Sequence, residues 1–123
     1  MSVPIFSRSA GTLSFNGQTF PAANNVAHGS NGPWPAGTYP FIRLGTAEAD
    51  GPDGAFGSYG IFIFDVPGRT GMGIHSGRAN DPDGLGRVGV LACTEGCVRT
   101  TDEGVAALIA VHAVEPVTGF VVG

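Results

Sequence analysis

The chain has no lysine and only two cysteines, and 13% of its 123 residues are charged. Each scarcity excludes something. The six arginines are scattered and the net charge is −4, so the basic patch of a nucleic-acid binder is missing. Two cysteines are too few for a disulfide scaffold. No run reaches the ~18 apolar residues that a bilayer-spanning helix needs, so no membrane span is expected. The opening MSVPIFSRSAG lacks the basic start and apolar run of a Sec signal peptide, so synthesis in the cytoplasm without such a signal is expected.

What is abundant is glycine, at 21 residues, with nine prolines beside it. These residues punctuate a chain into turns, so many short strands and few helices are expected. At 42% hydrophobic the chain carries enough apolar material for one core, and we read residues 1–123 as one mainly β domain. TLSFNGQTF is a hairpin about Asn16-Gly17. Residues 22–32 read as a loop and 38–44 as a strand after the turns of GPWPAG. Ile61 to Phe64 is a continuously apolar, buried strand, and Gly71 to His75 a short one. The segment 78–87 reads as a loop, RVGVLAC as a strand and VTGFVV as a closing strand. The single predicted helix covers 102–113, with Thr100 and Glu103 at capping-box spacing and Glu115-Pro116 as its stop.

The segment GIHSGRANDPDGLGRVGVLACTEGCVRTTD carries the chemistry. His75 ends a strand, and Cys97 follows 22 positions later, behind Gly96 and ahead of the helix. A thiol is activated by a neighbouring imidazole or a helix N-terminus. Gly96 admits close backbone approach, and the amides around Cys97 suit an oxyanion hole. These are the parts of a Cys-His acyl-transfer site, in order.

IHS followed by TEGCVR resembles the signature of the L,D-transpeptidase (YkuD-like) family: a histidine, a spacer, then Ser-His-Gly-Cys, an aliphatic residue, and Arg or Asn. His75, Gly96, Cys97, Val98 and Arg99 match it; Thr94 takes the serine place and Glu95 departs from the second histidine. LSFNGQTF and GPWPAGTYPF resemble upstream segments of the same family, so the resemblance covers roughly 13–115. It implies a β-sandwich-like fold with one α-helix following the cysteine. It also implies action on peptidoglycan stem tetrapeptides, between a third-position diamino acid and D-alanine, through an acyl-enzyme on Cys97 with His75 as base. The outcome is transpeptidation, carboxypeptidation or D-amino-acid exchange. No metal or organic cofactor is implied. A compact subgroup that also lacks the second histidine resembles this chain in size. Its members are antibacterial effectors delivered by type VI secretion, which act in the periplasm or cell wall of a target cell and imply an immunity protein as a candidate partner.

Each residue also has a plainer reading. Cys97 could be a buried inert thiol and His75 a strand-end histidine bonded to backbone. Arg99 is read as binding a substrate carboxylate or bracing the loop, and Ser76 as shaping the His75 turn. Tyr59 and Trp34 read first as core residues, with bordering the pocket as the functional alternative for Tyr59 and covering it as that for Trp34. Cys93 reads as a strand residue. A Cys93–Cys97 disulfide needs a sharp turn, since four extended residues span ~13 Å. Zinc on His75, Cys93 and Cys97 lacks a second cysteine pair, and calcium at Asp81 and Asp83 lacks the later loop ligands. His28 and His112 read as structural or surface residues. Two rival functions remain: a sortase-like transpeptidase using Cys93 with His28, and a non-catalytic peptidoglycan-binding module.

Overall fold

A computed structural model describes residues 1–83 and 86–123; Gly84 and Leu85, within the loop read across 78–87, lie outside the described residues. The strands are β1 (Ile5–Ser7), β2 (Thr12–Phe15), β3 (Gln18–Ala23), β4 (Gly37–Gly45), β5 (Ile61–Phe64), β6 (Gly73–His75), β7 (Val98–Thr100) and β8 (Gly119–Val122), and the helix is α1 (Asp102–Val114). The strands close in the order β1-β2-β3-β7-β6-β5-β4-β8. The fold is thus mainly β with one α-helix after the cysteine, as expected. The two layers of the sandwich-like arrangement meet at shared corner strands. β3 pairs with β2 and then with β7, and β4 pairs with β8 through Pro40 and with β5 from Phe41. Pro21 and Pro40 sit at these corners, where a strand leaves one neighbour for another and a missing N–H is tolerated.

The β2–β3 hairpin turns as its sequence predicts: Asn16 and Gly17 both take left-handed φ, at 47° and 74°. The core gathers Leu13, Phe15, Trp34, Phe64 and Phe120 around one centre. Trp34 belongs there, edge-on to Phe120 at 5.1 Å, and does not cover the pocket. β5 is apolar throughout because both its faces are covered. Phe62 and Phe64 enter the main core, whereas Ile61 and Ile63 pack on the other side against Cys97 and Phe56.

Two expectations fail. The segment 87–93 is not a strand: Gly89–Leu91 forms a 3₁₀ turn, and Val88 and Leu91 stay exposed. Gly86 and Gly89 take positive φ there, and the sheet edge beside β6 is taken instead by β7. The helix cap is Thr101, not Thr100; its side chain accepts from the Gly104 amide at 3.0 Å. Thr100 is the last residue of β7 and donates to the Pro21 carbonyl. A strand therefore stands between Cys97 and the helix.

Candidate active site

β6 and β7 run parallel, with Ile74 opposite Val98 and His75 opposite Arg99. Strand side chains alternate, so His75 and Arg99 share one face and Cys97, two residues before Arg99, joins them there. Ile74 and Val98, on the opposite face, are fully buried in the main core. The first face opens into a cleft of about 290 Å³, lined among others by His75, Cys93, Thr94, Cys97 and Arg99.

His75 is 3% exposed, with Phe56 edge-on at 5.0 Å. Its Nδ1 lies 2.8 Å from the Ser76 carbonyl. A carbonyl only accepts, so Nδ1 carries the proton and Nε2 is the basic nitrogen. Burial, aided by the Arg99 charge, lowers its pKa to about 4, against the Ser76 hydrogen bond and the Asp50 charge. The imidazole is therefore neutral at pH 7. Burial also pushes the Cys97 thiol up, while the Gly73 amide and Arg99 pull the other way. The thiol is directed at the Gly71 carbonyl, 3.6 Å away.

The turn before Cys97 is held from several sides. Gly96 has φ +147°, and an added Cβ would meet the Met72 sulfur at 3.0 Å, so only glycine fits without displacement. Thr94 Oγ1 donates to the Cys97 carbonyl at 2.8 Å and accepts the Gly96 amide at 3.1 Å. That amide is thus occupied within the turn. Asn24, not anticipated from the sequence, donates through Nδ2 to the Gly96 and Cys97 carbonyls at 2.8 and 2.9 Å. Its Oδ1 accepts the Trp34 amide at 2.7 Å.

Arg99 is 2% exposed and spends its donors on backbone. Nε meets the Ser76 carbonyl at 3.1 Å, Nη1 meets Ala92 and Cys93 at 2.9 and 3.2 Å, and Nη2 meets Ala55 at 2.8 Å. Of the two roles expected, bracing is the one these bonds fit. Ser76 Oγ donates to Asp102 at 2.5 Å, and Ser58 Oγ donates to the same carboxylate at 2.6 Å. Burial works to raise the Asp102 carboxyl, but the bonds from Ser58 and Ser76 outweigh it and hold it below the usual value. Asp102 thereby fixes the residue whose carbonyl orients His75.

Tyr59 is not in the cleft. Ser58 is pinned to Asp102 and Gly60 packs against the Gly45 carbonyl, which leaves Tyr59 between them 41% exposed. Cys93 does line the cleft, and its sulfur accepts from Arg87 Nη2 at 2.7 Å; both cysteines are free thiols. His28 does not line it, so Cys93 lacks the base that the sortase-like reading needs. His112 is structural: it accepts the Val117 amide and packs on Phe41 and Phe62. Among the described residues, no three His, Cys, Asp or Glu side chains are grouped to hold a metal, and no helix is long and apolar enough to cross a membrane.

Neither a protein-family model nor a curated relative matches the sequence. Among solved structures, the chain is similar to Mycobacterium tuberculosis L,D-transpeptidase 1, with a TM-score of 0.58 at 15% identity. The match covers 98% of this chain and 58% of that one. The likeness is one of fold.

Proposed function

We propose that this chain is a cysteine-nucleophile enzyme that modifies peptidoglycan stem tetrapeptides, with residues 1–123 as one catalytic domain. The observation that carries the reading is that Cys97 and a neutral, Nε2-basic His75 share one face of the β6–β7 ladder and one cleft. In this reading His75 Nε2 takes the thiol proton as Cys97 Sγ attacks the carbonyl carbon of the third-position residue. The Cys97 amide steadies the oxyanion. The carbonyl–nitrogen bond to D-alanine breaks, and the imidazolium returns its proton to the leaving amine. Water or an acceptor amine then resolves the thioester. Gly96 and Arg99 shape the loop, and Ser76 orients the base.

The substrate places the work in the periplasm or cell wall. The resemblance to the compact effectors extends the proposal to a type VI-delivered antibacterial protein, with an immunity protein in the producing cell. The test is to incubate the protein with purified muropeptides and follow products by mass spectrometry. A thioester on Cys97 with loss of D-alanine is expected. Binding of muropeptides by the folded protein, with neither adduct nor product, would overturn the enzyme and leave the binding module.

A further inference from the structure

Arg78 lines the same cleft, yet among the described residues its guanidinium has no hydrogen-bond or ion-pair partner. Its backbone is unusual. Apart from Asn16 in the hairpin turn, it is the only described non-glycine residue with positive φ, at 57°. Glycine or asparagine would adopt that conformation at less cost. The surroundings impose it. The Arg78 amide donates to the Gly54 carbonyl at 2.9 Å, its carbonyl accepts from Gly89 at 2.6 Å, and the Ala79 amide donates to Pro52 at 3.0 Å. Gly77 before it has φ +105°, and an added Cβ would strike the Gly54 carbonyl. The arginine is thus held out from a fixed platform, and strain kept in place beside a cleft points to use of the side chain.

A second cation, Arg99, stands near it. Burial first, and the Arg78 charge next, hold Arg99 below its ordinary value, although Asp83 and the two thiols oppose this. Arg99 already serves four backbone carbonyls. The acidic residue among the lining side chains is Glu95, which is exposed. An anion entering the cleft therefore finds Arg78 as the cation with donors to give.

We infer that Arg78 binds a carboxylate of the stem peptide and makes the site selective for donors that carry one free. The inference rests on the proposed function and deepens it. Two carboxylates have this chemistry: the C-terminus of the D-alanine, and the side-chain carboxylate of a diaminopimelate-type third residue. Guanidinium pairs with either through two parallel hydrogen bonds.

The experiment compares wild type with Arg78→Asn and Arg78→Lys on three tetrapeptides: the free acid, the C-terminal amide and the third-residue amide. Asparagine suits left-handed backbone, so Arg78→Asn should melt at or above the wild-type temperature. On the free acid, its KM should rise about 10- to 100-fold, the value of a charge-assisted hydrogen bond, with kcat changed far less. Arg78→Lys should fall between. One amide should cost wild type a similar factor and cost Arg78→Asn nothing further, and which amide does so identifies the carboxylate. Wild-type KM in Arg78→Asn, or equal losses on each amide in both proteins, overturns the inference while leaving the enzyme intact. Calorimetric binding to Cys97→Ala separates the two readings. Arg78-dependent binding without turnover in the wild type sinks the enzyme and keeps the carboxylate site; no binding and no turnover sinks both.

Discussion

Asn24 is expected to act as a clamp on the turn that carries Cys97, and removing it should cost both stability and reactivity. Its amide faces four partners. Nδ2 donates to the Gly96 and Cys97 carbonyls, and Oδ1 accepts from the Trp34 amide and, at 3.0 Å, from Arg8. Setting aside the exposed Arg8 contact, three part-buried hydrogen bonds at ~1 kcal/mol net each give about 3 kcal/mol for Asn24→Ala. A domain of this size loses ~4 °C of melting temperature per kcal/mol, so a fall of roughly 12 °C is expected. The turn it releases carries Cys97, and a displacement of ~1 Å at a reacting atom costs ~100-fold. Asn24→Asp separates the contributions. It keeps the acceptor for Trp34 but sets a carboxylate oxygen against two carbonyls, so it should match Asn24→Ala in lost activity. Thermal unfolding by circular dichroism reads the first effect. The rate of Cys97 alkylation or acylation reads the second. An Asn24→Ala protein that melts within ~2 °C of wild type, or an Asn24→Asp protein with wild-type Cys97 reactivity, would refute the clamp.

Cys97→Ala should abolish acyl-enzyme formation while the fold is kept, and Cys93→Ala should retain most activity; the reverse pattern on intact-protein mass spectrometry would move the nucleophile to Cys93. His75 is held neutral by burial, with a folded value of about 4 against 6.5 for the free group. The unfolded chain therefore takes up a proton first. Its contribution is full above pH 6.5 and drains by about 3 kcal/mol as pH falls toward 4, a slope that denaturant titrations should find reduced in His75→Gln. In turnover, His75→Ala should lose at least ~100-fold, as a missing general base does. Sent to the periplasm of Gram-negative cells behind a Sec signal, the wild type should arrest growth, whereas Cys97→Ala and the cytoplasmic form should not; equal growth of all cultures with periplasmic protein confirmed would remove the toxin reading.

What the sequence made legible is what local chemistry dictates. Asn16-Gly17 sets a turn through its own φ preferences, and the unbroken apolar run of β5 follows from burial on both faces. His75 and Cys97 stood out because strand end, glycine and spacing form a readable pattern. The failures lie where tertiary pairing outvotes local preference. RVGVLAC has strand composition but finds no free sheet edge, since β7 holds the place beside β6. Thr100 and Thr101 are interchangeable by composition, and only the pairing of Thr100 with Ala22 decides which is strand and which is cap. Asn24 and Asp102 reach the site across 73 and 26 positions of chain, to Cys97 and Ser76, and no local signal encodes such a contact. Tyr59 misled for the same reason: its neighbours, not its own type, turn it outward.

The electrostatics of the site constrain how its chemistry would begin. Burial disfavours both the thiolate of Cys97 and the imidazolium of His75. The Arg99 charge assists the first ion and opposes the second, so it gives the pair no net push toward a preformed thiolate–imidazolium. In the proposed mechanism a neutral thiol and a neutral imidazole then share the cleft at rest, and proton transfer would accompany attack on the carbonyl rather than precede it. The helix offers little remedy, because β7 and the Thr101 cap stand between its N-terminus and the sulfur. What Arg99 does supply is geometry. Its guanidinium gathers carbonyls from the 55, 76 and 92–93 segments around itself, and their dipoles solvate a charge that burial would otherwise make costly. A lysine could not hold those directions at once. The Ser76 carbonyl is shared between Arg99 and His75, so the same buried cation that braces the cleft also steadies the acceptor that keeps the proton on His75 Nδ1.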